Sequence, residues 1–266
     1  MGYENLALKF KKAKAVIVVV SNGFSITEGL NIFASDEKFE RYFGEFRQKF
    51  GVRNVLECFS CNYPDKASKW EFYATFARHY ILSYKISQAM SDLRELLSIK
   101  PYFIVTSNIE GHFGLAGFKN VFEVEGNAIN FQCENACCDE IKDGLDVLKN
   151  MANEPKNAIN FLPKCQKCGL DMDAHNIFAK RFIGAKNGER FNAFLEQNFN
   201  ENVLFLELGV GARNQLIKAP LMRVSSQMPN ATYVSVNLSE PYAPNGMEFH
   251  AKIDEFLLNL KTSLKF

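Results

Sequence analysis

"AVIVVV" (Ala15–Val20) is apolar at every position, and this run limits the possible folds more than any other stretch of the chain. A strand with one wet face alternates apolar and polar residues. A run without a polar residue has both faces covered, which is the signature of a parallel sheet with helices above and below. "PYFIVT" (101–106), "VFEVEG" (121–126), "NVLFLELG" (202–209) and "TYVSVNL" (232–238) have the same character. Helical periodicity lies between several of them: in "KISQAMSDLRELLSI" (85–99) Ile86, Met90, Leu93 and Leu97 form one stripe, and "KIDEFLLNLKTSL" closes the chain as a last helix. Strands alternating with helices predict an α/β fold, a doubly wound parallel sheet with its ligand crevice at the carboxyl ends of the strands.

Two stretches interrupt the alternation. Residues 31–84 are rich in Phe and Tyr with mixed charge ("FERYFGEFRQKF", "KWEFYATFARHYI") and predict a helical insert packed by aromatics, suited to act as a lid. Residues 127–173 carry a cluster of cysteines and a polar segment, "DGLDVLKNMANEPKN", whose pattern is too irregular for a core, so its order is expected to come from another source. The expected organisation is one domain over 1–266, with 1–30, 85–126 and 174–266 as the core and the two inserts at 31–84 and 127–173.

The charge balance narrows the partners. Lys plus Arg number 31 and Asp plus Glu 30, a net charge of +1, with no block of like charge to track a phosphate backbone or an anionic membrane, so neither nucleic acid nor membrane is an expected partner. The apolar run near the N-terminus is too short for a signal-peptide core or a membrane span, and a cytoplasmic location is expected. Thiols stay reduced there, so the seven cysteines point to metal binding or catalysis over disulfides.

Cys133-x3-Cys137 and Cys165-x2-Cys168 supply four thiolates in two knuckles, and "PKCQKCG" has the Pro and Gly that shape a tight turn around a metal. This set suits one tetrahedral zinc ion, with Cys138 as an alternative to Cys137 and with buried free thiols as the reading without metal. Four thiolates leave no open coordination position, so such an ion shapes the insert and the chemistry lies elsewhere. His175, close behind the second knuckle, is either a substitute ligand or a surface or capping residue; Cys58 and Cys61 have no partner knuckle and are expected to pack.

Two glycine turns follow strands. In "VVVSNGFSITEGL" (18–30) Gly23 lets the backbone approach an anion and Ser25 offers a hydroxyl, and in "LELGVGARNQLIKAP" (206–220) Gly209 and Gly211 flank a turn able to accept phosphate or ribose. A third strand end, "VNLSEP", places Asn237 and Leu238 within reach of a ribose or adenine edge, though Asn237 serves equally as a cap. "TSNIEGHF" (106–113) puts Asn108, Glu110 and His112 at the same crevice, or else begins a helix.

The ordered set of motifs resembles the sirtuins, a family with a dinucleotide-binding domain and a zinc-ribbon insert. The family pattern Gly-Ala-Gly-x-Ser-x-x-x-Gly falls on Ser21, Asn22, Gly23, Ser25 and Gly29, and Thr-x-Asn-x-Asp falls on Thr106, Asn108, Ile109 and Glu110. The catalytic His-Gly falls on Glu125-Gly126, and the Gly-Thr-Ser turn on Gly209, Val210 and Gly211. Within the family the chain is most similar to a macrodomain-linked microbial branch, which has Gln-Gly-Asp in place of His-Gly, then "FQC" with a three-residue gap that favours Cys137 over Cys138, and a "LELGVG" stretch.

The resemblance implies NAD as the bound nucleotide, the residues just named as its contacts, and transfer of ADP-ribose to an acceptor protein, in this branch sometimes a lipoyl-carrier protein, with a macrodomain hydrolase removing it. Ser21 and Glu110 depart from the family's Gly and Asp, and Phe178 stands where the branch has the Arg of Asn-Leu-Arg. The expected reaction is NAD-dependent ADP-ribosyl transfer or NAD hydrolysis, with Asn108 positioning ribose or nicotinamide and Glu125 stabilising an oxocarbenium-like centre or orienting the acceptor. A non-catalytic NAD or ADP-ribose binding module is the alternative. Lysine deacylation fits less well, because an ordinary Glu, with a pKa of about 4.3, is a weaker base than His at about 6.5.

Overall fold

The computed structural model describes residues 2–212 and 214–265. In chain order, α1 (Gly2–Lys12) leads into β1 (Ala15–Val20), then α2 (Asn22–Thr27), α3 (Glu37–Phe50), α4 (Val55–Phe59) and α5 (Lys66–Phe76), which runs on through a π turn at Ala77–Ile81. α6 (Gln88–Leu97), β2 (Tyr102–Thr106), α7 (His112–Leu115) and β3 (Val121–Glu123) follow. The cysteine-bearing stretch holds β4 (Gly126–Cys133), β5 (Ile141–Lys142), α8 (Leu145–Asn153), a 3-10 helix at Pro155–Phe161 and β6 (Met172–Asn176). The chain ends with α9 (Gly188–Gln197), β7 (Val203–Leu208), α10 (Lys218–Gln227), β8 (Thr232–Asn237), β9 (Met247–His250) and α11 (Ile253–Leu264).

Six strands form a parallel sheet in the order β3-β2-β1-β7-β8-β9, and β5-β4-β6 form a small antiparallel one. β1 owes its unbroken apolar run to its central place. Val16, Val18 and Val20 pack under α1, α6 and α11, whereas Ala15, Ile17 and Val19 pack against Phe191 of α9 and Leu221 of α10. The sheet grows in opposite directions from β1 and β7, so a crevice opens at the carboxyl ends of these two strands.

A second apolar cluster lies outside the sheet. Phe39, Phe43, Trp70, Phe72 and Phe76 of the aromatic stretch share it with Phe131, Leu148, Met151 and Met172 of the cysteine-bearing stretch, and the Trp70 and Phe131 rings stack at 5.3 Å. The segment 143–157 thus draws its order from burial of Leu148, Met151 and Ala152 on α8, a narrow stripe diluted by Lys and Asn in the sequence.

Other departures from the sequence reading have local causes. α6 starts three residues later than its periodicity suggested, because the Ser87 hydroxyl accepts from the Met90 amide and caps the helix, leaving Ile86 43% exposed. β3 ends at Glu123, since Val124 and Glu125 form a turn and Gly126, at φ +70°, begins a strand of the other sheet. β9 escapes the pattern because it is an edge strand with alternating exposure. No described helix is long and apolar enough to cross a membrane.

Buried polar groups fix the loop after β7. Glu207, on β7, is fully buried; its Oε1 accepts from Lys218 Nζ at 2.5 Å and from Ser235 Oγ at 2.6 Å, and its Oε2 accepts from the Tyr233 hydroxyl at 2.6 Å. The start of α10 is thereby tied to the sheet.

At the crevice the turn after β1 touches the turn after β7. The Gly23 amide donates to the Gly209 carbonyl at 3.0 Å, and a Cβ on Gly23 would lie 2.5 Å from the Gly209 Cα. Gly209 itself stands at φ +67°, where L side chains are strained. Gly23→Ala is expected to destabilise the chain by about 1–3 kcal/mol through overpacking, read as a lower urea midpoint. An unchanged midpoint would show that this contact yields freely.

Candidate active site

Two adjoining cavities occupy the carboxyl ends of the parallel strands. The outer one, about 720 Å³, is lined by Ser21, Asn22, Gly23, Gly209, Gly211, Asn237 and Leu238, with Lys252 and Asp254 at its edge. The inner one, about 290 Å³, is lined by Asn108, Ile109, Glu110 and Glu125 and walled by Ile32, Phe33, Leu56, Phe76, Ile177 and Phe178. Ser21, Asn22, Phe33 and Asn214 border both.

Four of the expected nucleotide contacts lie outside both linings. Ser25 is 1% exposed; its hydroxyl donates to Glu110 Oε1 at 2.6 Å and accepts from Asn108 Nδ2 at 2.8 Å, so it braces two inner-cavity side chains and is not free to meet a phosphate. Gly29, at φ +87°, ends the turn after α2. Thr106 is buried and its hydroxyl accepts from the Asn108 amide at 3.0 Å. Val210 is buried against the sheet, and its carbonyl accepts from Asn237 Nδ2 at 3.1 Å. These residues position the strand ends that bear the lining residues.

The Gly23 contact with Gly209 also changes the reason for that glycine. Its bare Cα makes room for neighbouring backbone, and its amide is spent on the Gly209 carbonyl.

Glu125 stands in the turn between β3 and β4. Its carbonyl accepts from the Ile177 amide at 3.0 Å, and the turn is closed by Asn127 Nδ2 donating to Glu123 Oε2 at 2.6 Å. Burial pushes the Glu125 carboxyl above the usual carboxylate range. Glu123 is pushed up to about 7, mainly by burial, against the opposing bond from Asn127.

His112 lies behind the crevice instead of in it, 3% exposed. Its Nδ1 is 2.9 Å from Glu28 Oε2 and its Nε2 2.7 Å from the Tyr80 carbonyl, with the Tyr84 ring stacked on it at 3.9 Å. The Tyr80 carbonyl can only accept, so Nε2 carries a proton, and with an ionised Glu28 the ring donates from both nitrogens as an imidazolium. Burial works against that charge, but the Glu28 and Glu110 carboxylates outweigh it and raise the pKa.

The walls contributed by Ile32, Phe33, Leu56 and Phe76 come from the aromatic insert, and no sequence signal marks them as lining residues. Phe178, where the resemblance predicted an arginine, stacks on Phe59 at 5.4 Å and faces the inner cavity.

The thiols of Cys133, Cys137, Cys165 and Cys168 all lie within 4.8 Å of one another. Cys133 and Cys168 are 3.5 Å apart, as are Cys137 and Cys165. Sulfurs bound at about 2.3 Å to a tetrahedral zinc stand about 3.8 Å apart, so this donor set fits such an ion. Cys138 comes within 4.0 Å of Cys165 yet falls outside the group of four. His175 turns away and bonds the Gly184 carbonyl at 2.7 Å. Burial raises the Cys58 thiol to about 12, as expected of a packing cysteine.

No protein-family model matches the chain. It is 26% identical over 258 residues to a protein ADP-ribosyltransferase of Staphylococcus aureus, an alignment covering 92% of this chain and 81% of that protein. Over 81 residues, 30% of this chain and 28% of the other, it is 35% identical to an NAD-dependent protein deacetylase of Clostridium perfringens. Among solved structures, a Sir2 homologue in complex with NAD superposes with a TM-score of 0.70 at 17% identity, covering 98% of this chain and 94% of that one. A Sir2 homologue in complex with ADP-ribose gives 0.68 at 18% identity, with 98% and 96% covered, and a sirtuin from a study of substrate affinity gives 0.66 at 18%, with 97% of each. This chain has the sirtuin fold. The doubly wound sheet and the cysteine-bearing insert expected from the sequence are both parts of it.

In this sirtuin-fold chain the thiol cluster and the His112 pair each yield a test. Cys165→Ser is expected to abolish metal binding and Cys138→Ser to leave about one zinc per chain, measured by metal analysis of the purified proteins. Equal loss in both would make Cys138 a ligand. For His112 the folded pKa lies above the unfolded value of about 6.5, so its contribution to stability is full below that value and is lost as pH rises through the folded pKa. The unfolding midpoint should therefore fall as pH rises above neutral, and His112→Gln should flatten that fall; parallel profiles would exclude an imidazolium at this place.

Proposed function

We propose that the chain is an NAD-dependent ADP-ribosyltransferase of the sirtuin type that cleaves the nicotinamide–ribose bond, with one structural zinc ion held by Cys133, Cys137, Cys165 and Cys168. The observation that carries the reading is the Glu125 carboxylate, half-buried in a small cavity that adjoins a larger one at the reversal of a doubly wound sheet. The Staphylococcus aureus relative, named for ADP-ribosyl transfer to protein, supports it.

In this reading the outer cavity receives the adenosine and pyrophosphate of NAD near Gly23, Gly209, Gly211 and Asn237. Ser21 and Asn22 lie where the two cavities meet. The inner cavity takes the nicotinamide riboside. As the bond to nicotinamide breaks, its electron pair leaves with the neutral base, and positive charge builds on the sugar carbon and ring oxygen. Glu125 offsets that charge from a fixed place in a partly desolvated pocket, where such an interaction is worth more than in water. Asn108 is held by Ser25 and by the Ser21 carbonyl, 3.2 Å from its Nδ2, so its amide is oriented before substrate arrives. The zinc ion supplies rigidity to the insert and no chemistry.

The second substrate is a protein. The resemblance to the macrodomain-linked branch supports a lipoyl-carrier protein as acceptor, a macrodomain hydrolase as the reversing enzyme and a cytoplasmic location. Nicotinamide release from NAD with water as the acceptor is expected to fall about 100-fold in Glu125→Gln, the scale of losing one preorganised electrostatic contact. Equal rates in wild type and variant would remove Glu125 from the mechanism, and tight NAD binding by calorimetry without any release would make the chain a binding module.

A further inference from the structure

Glu110 and Glu125 are the two carboxylates of the inner cavity, and none of its described lining residues is basic. The two acids differ in what they are joined to. Glu110 is 4% exposed and bonded to Ser25. The Glu125 carboxylate, unlike those of Glu28, Glu110 and Glu123, joins no hydrogen bond or ion pair among the described residues. His112 is paired with Glu28. The described lining is therefore acidic, with one carboxylate, that of Glu125, whose acceptor sites have no partner among the described residues.

Its position is fixed all the same. The Glu123–Asn127 bond closes the turn on either side of Glu125, and the Ile177 amide holds its carbonyl. A half-buried carboxylate without donors bears a desolvation cost that a ligand bringing two parallel N–H groups would relieve. Exposed apolar side chains contribute to the cavity's lining. Phe33 is 57% exposed, Leu216 49% and Ile177 41%, and all three line the same cavity beside Phe178. An entering group that matches has an aliphatic stem, a flat face and a cationic fork. Arginine has all three, whereas lysine offers a point charge without the fork, and a carboxylate would meet like charge.

We propose that the acceptor is an arginine side chain whose guanidinium pairs with Glu125 and whose Nη takes the ADP-ribosyl group. This rests on the transferase reading above. The Nη–C1′ bond forms as the C1′–nicotinamide bond breaks, and nicotinamide leaves neutral with that bond's electron pair. The attacking Nη gives one proton to Glu125, which passes it to water. The modified guanidinium keeps its single positive charge, and each turnover releases one proton. Burial of Glu125, which favours its protonated form, assists that transfer.

The test incubates the full chain with NAD and agmatine, with a lysine-only peptide and a glutamate-rich peptide as comparisons, and follows nicotinamide release and product mass. Agmatine is expected to raise release about tenfold or more over water, the scale of a bidentate charge-assisted pair, and to appear as ADP-ribosyl-agmatine. Glu125→Gln should lower the agmatine-to-water rate ratio about tenfold with an unchanged unfolding midpoint. Ile177→Lys, at an exposed position, should raise the KM for agmatine by a similar factor. Release that agmatine leaves unchanged while water or the glutamate peptide supports it would overturn the arginine assignment and leave the transferase reading standing. No release with any acceptor would remove both.

Discussion

Two bare α-carbons, Gly23 and Gly209, hold the turn after β1 against the turn after β7, joined by an amide-to-carbonyl bond of 3.0 Å. The two strand ends that border the cavities take their relative position from that contact. The turn after β1 brings Ser21 and Asn22 to the border of both cavities, and the turn after β7 brings Gly211 and Asn214 opposite them. A side chain at either glycine would wedge the two strand ends apart and widen the crevice between them.

The inner cavity needs a second body to close it, and that body is built from two distant stretches of chain. Trp70 on Phe131 is its apolar centre, and Lys66 and Lys69 reach from α5 to Glu134, Asp171 and Asp173 beside the cysteine knuckles. Lys66 is half exposed, so its two ion pairs contribute little individually and serve mainly to fix register. The ordering free energy comes from the aromatic cluster, together with the four thiolates once they share an ion. This explains why a segment as polar as 143–157 folds: its few apolar residues are spent on a core that the aromatic insert largely supplies.

The sequence revealed those features whose cause is local. β1 was legible because both its faces are covered, and the knuckles because thiolate spacing follows from coordination geometry. The Asn108, Glu110 and Glu125 positions were legible through the order of motifs along the chain. What escaped depends on contacts far apart in sequence. Ser25 read as a free hydroxyl, since nothing in "NGFSIT" announces that Glu110 and Asn108 will claim it from more than eighty residues away. His112 read as a crevice residue because its Glu28 and Tyr80 partners lie on other elements. The walls of the inner cavity were hidden among 25 phenylalanines, where one facing a ligand looks like any other.

Glu207 and Lys218 have a bearing on descent. Both sit within the molecule with almost no access to solvent, and each satisfies the other's charge. Replacing one alone strands the remaining ion in the interior at about 3–5 kcal/mol, a large share of what holds a domain together. A lineage can therefore leave this arrangement only by exchanging both partners nearly at once, and the two positions are expected to be inherited as a unit even where the surrounding surface has drifted freely.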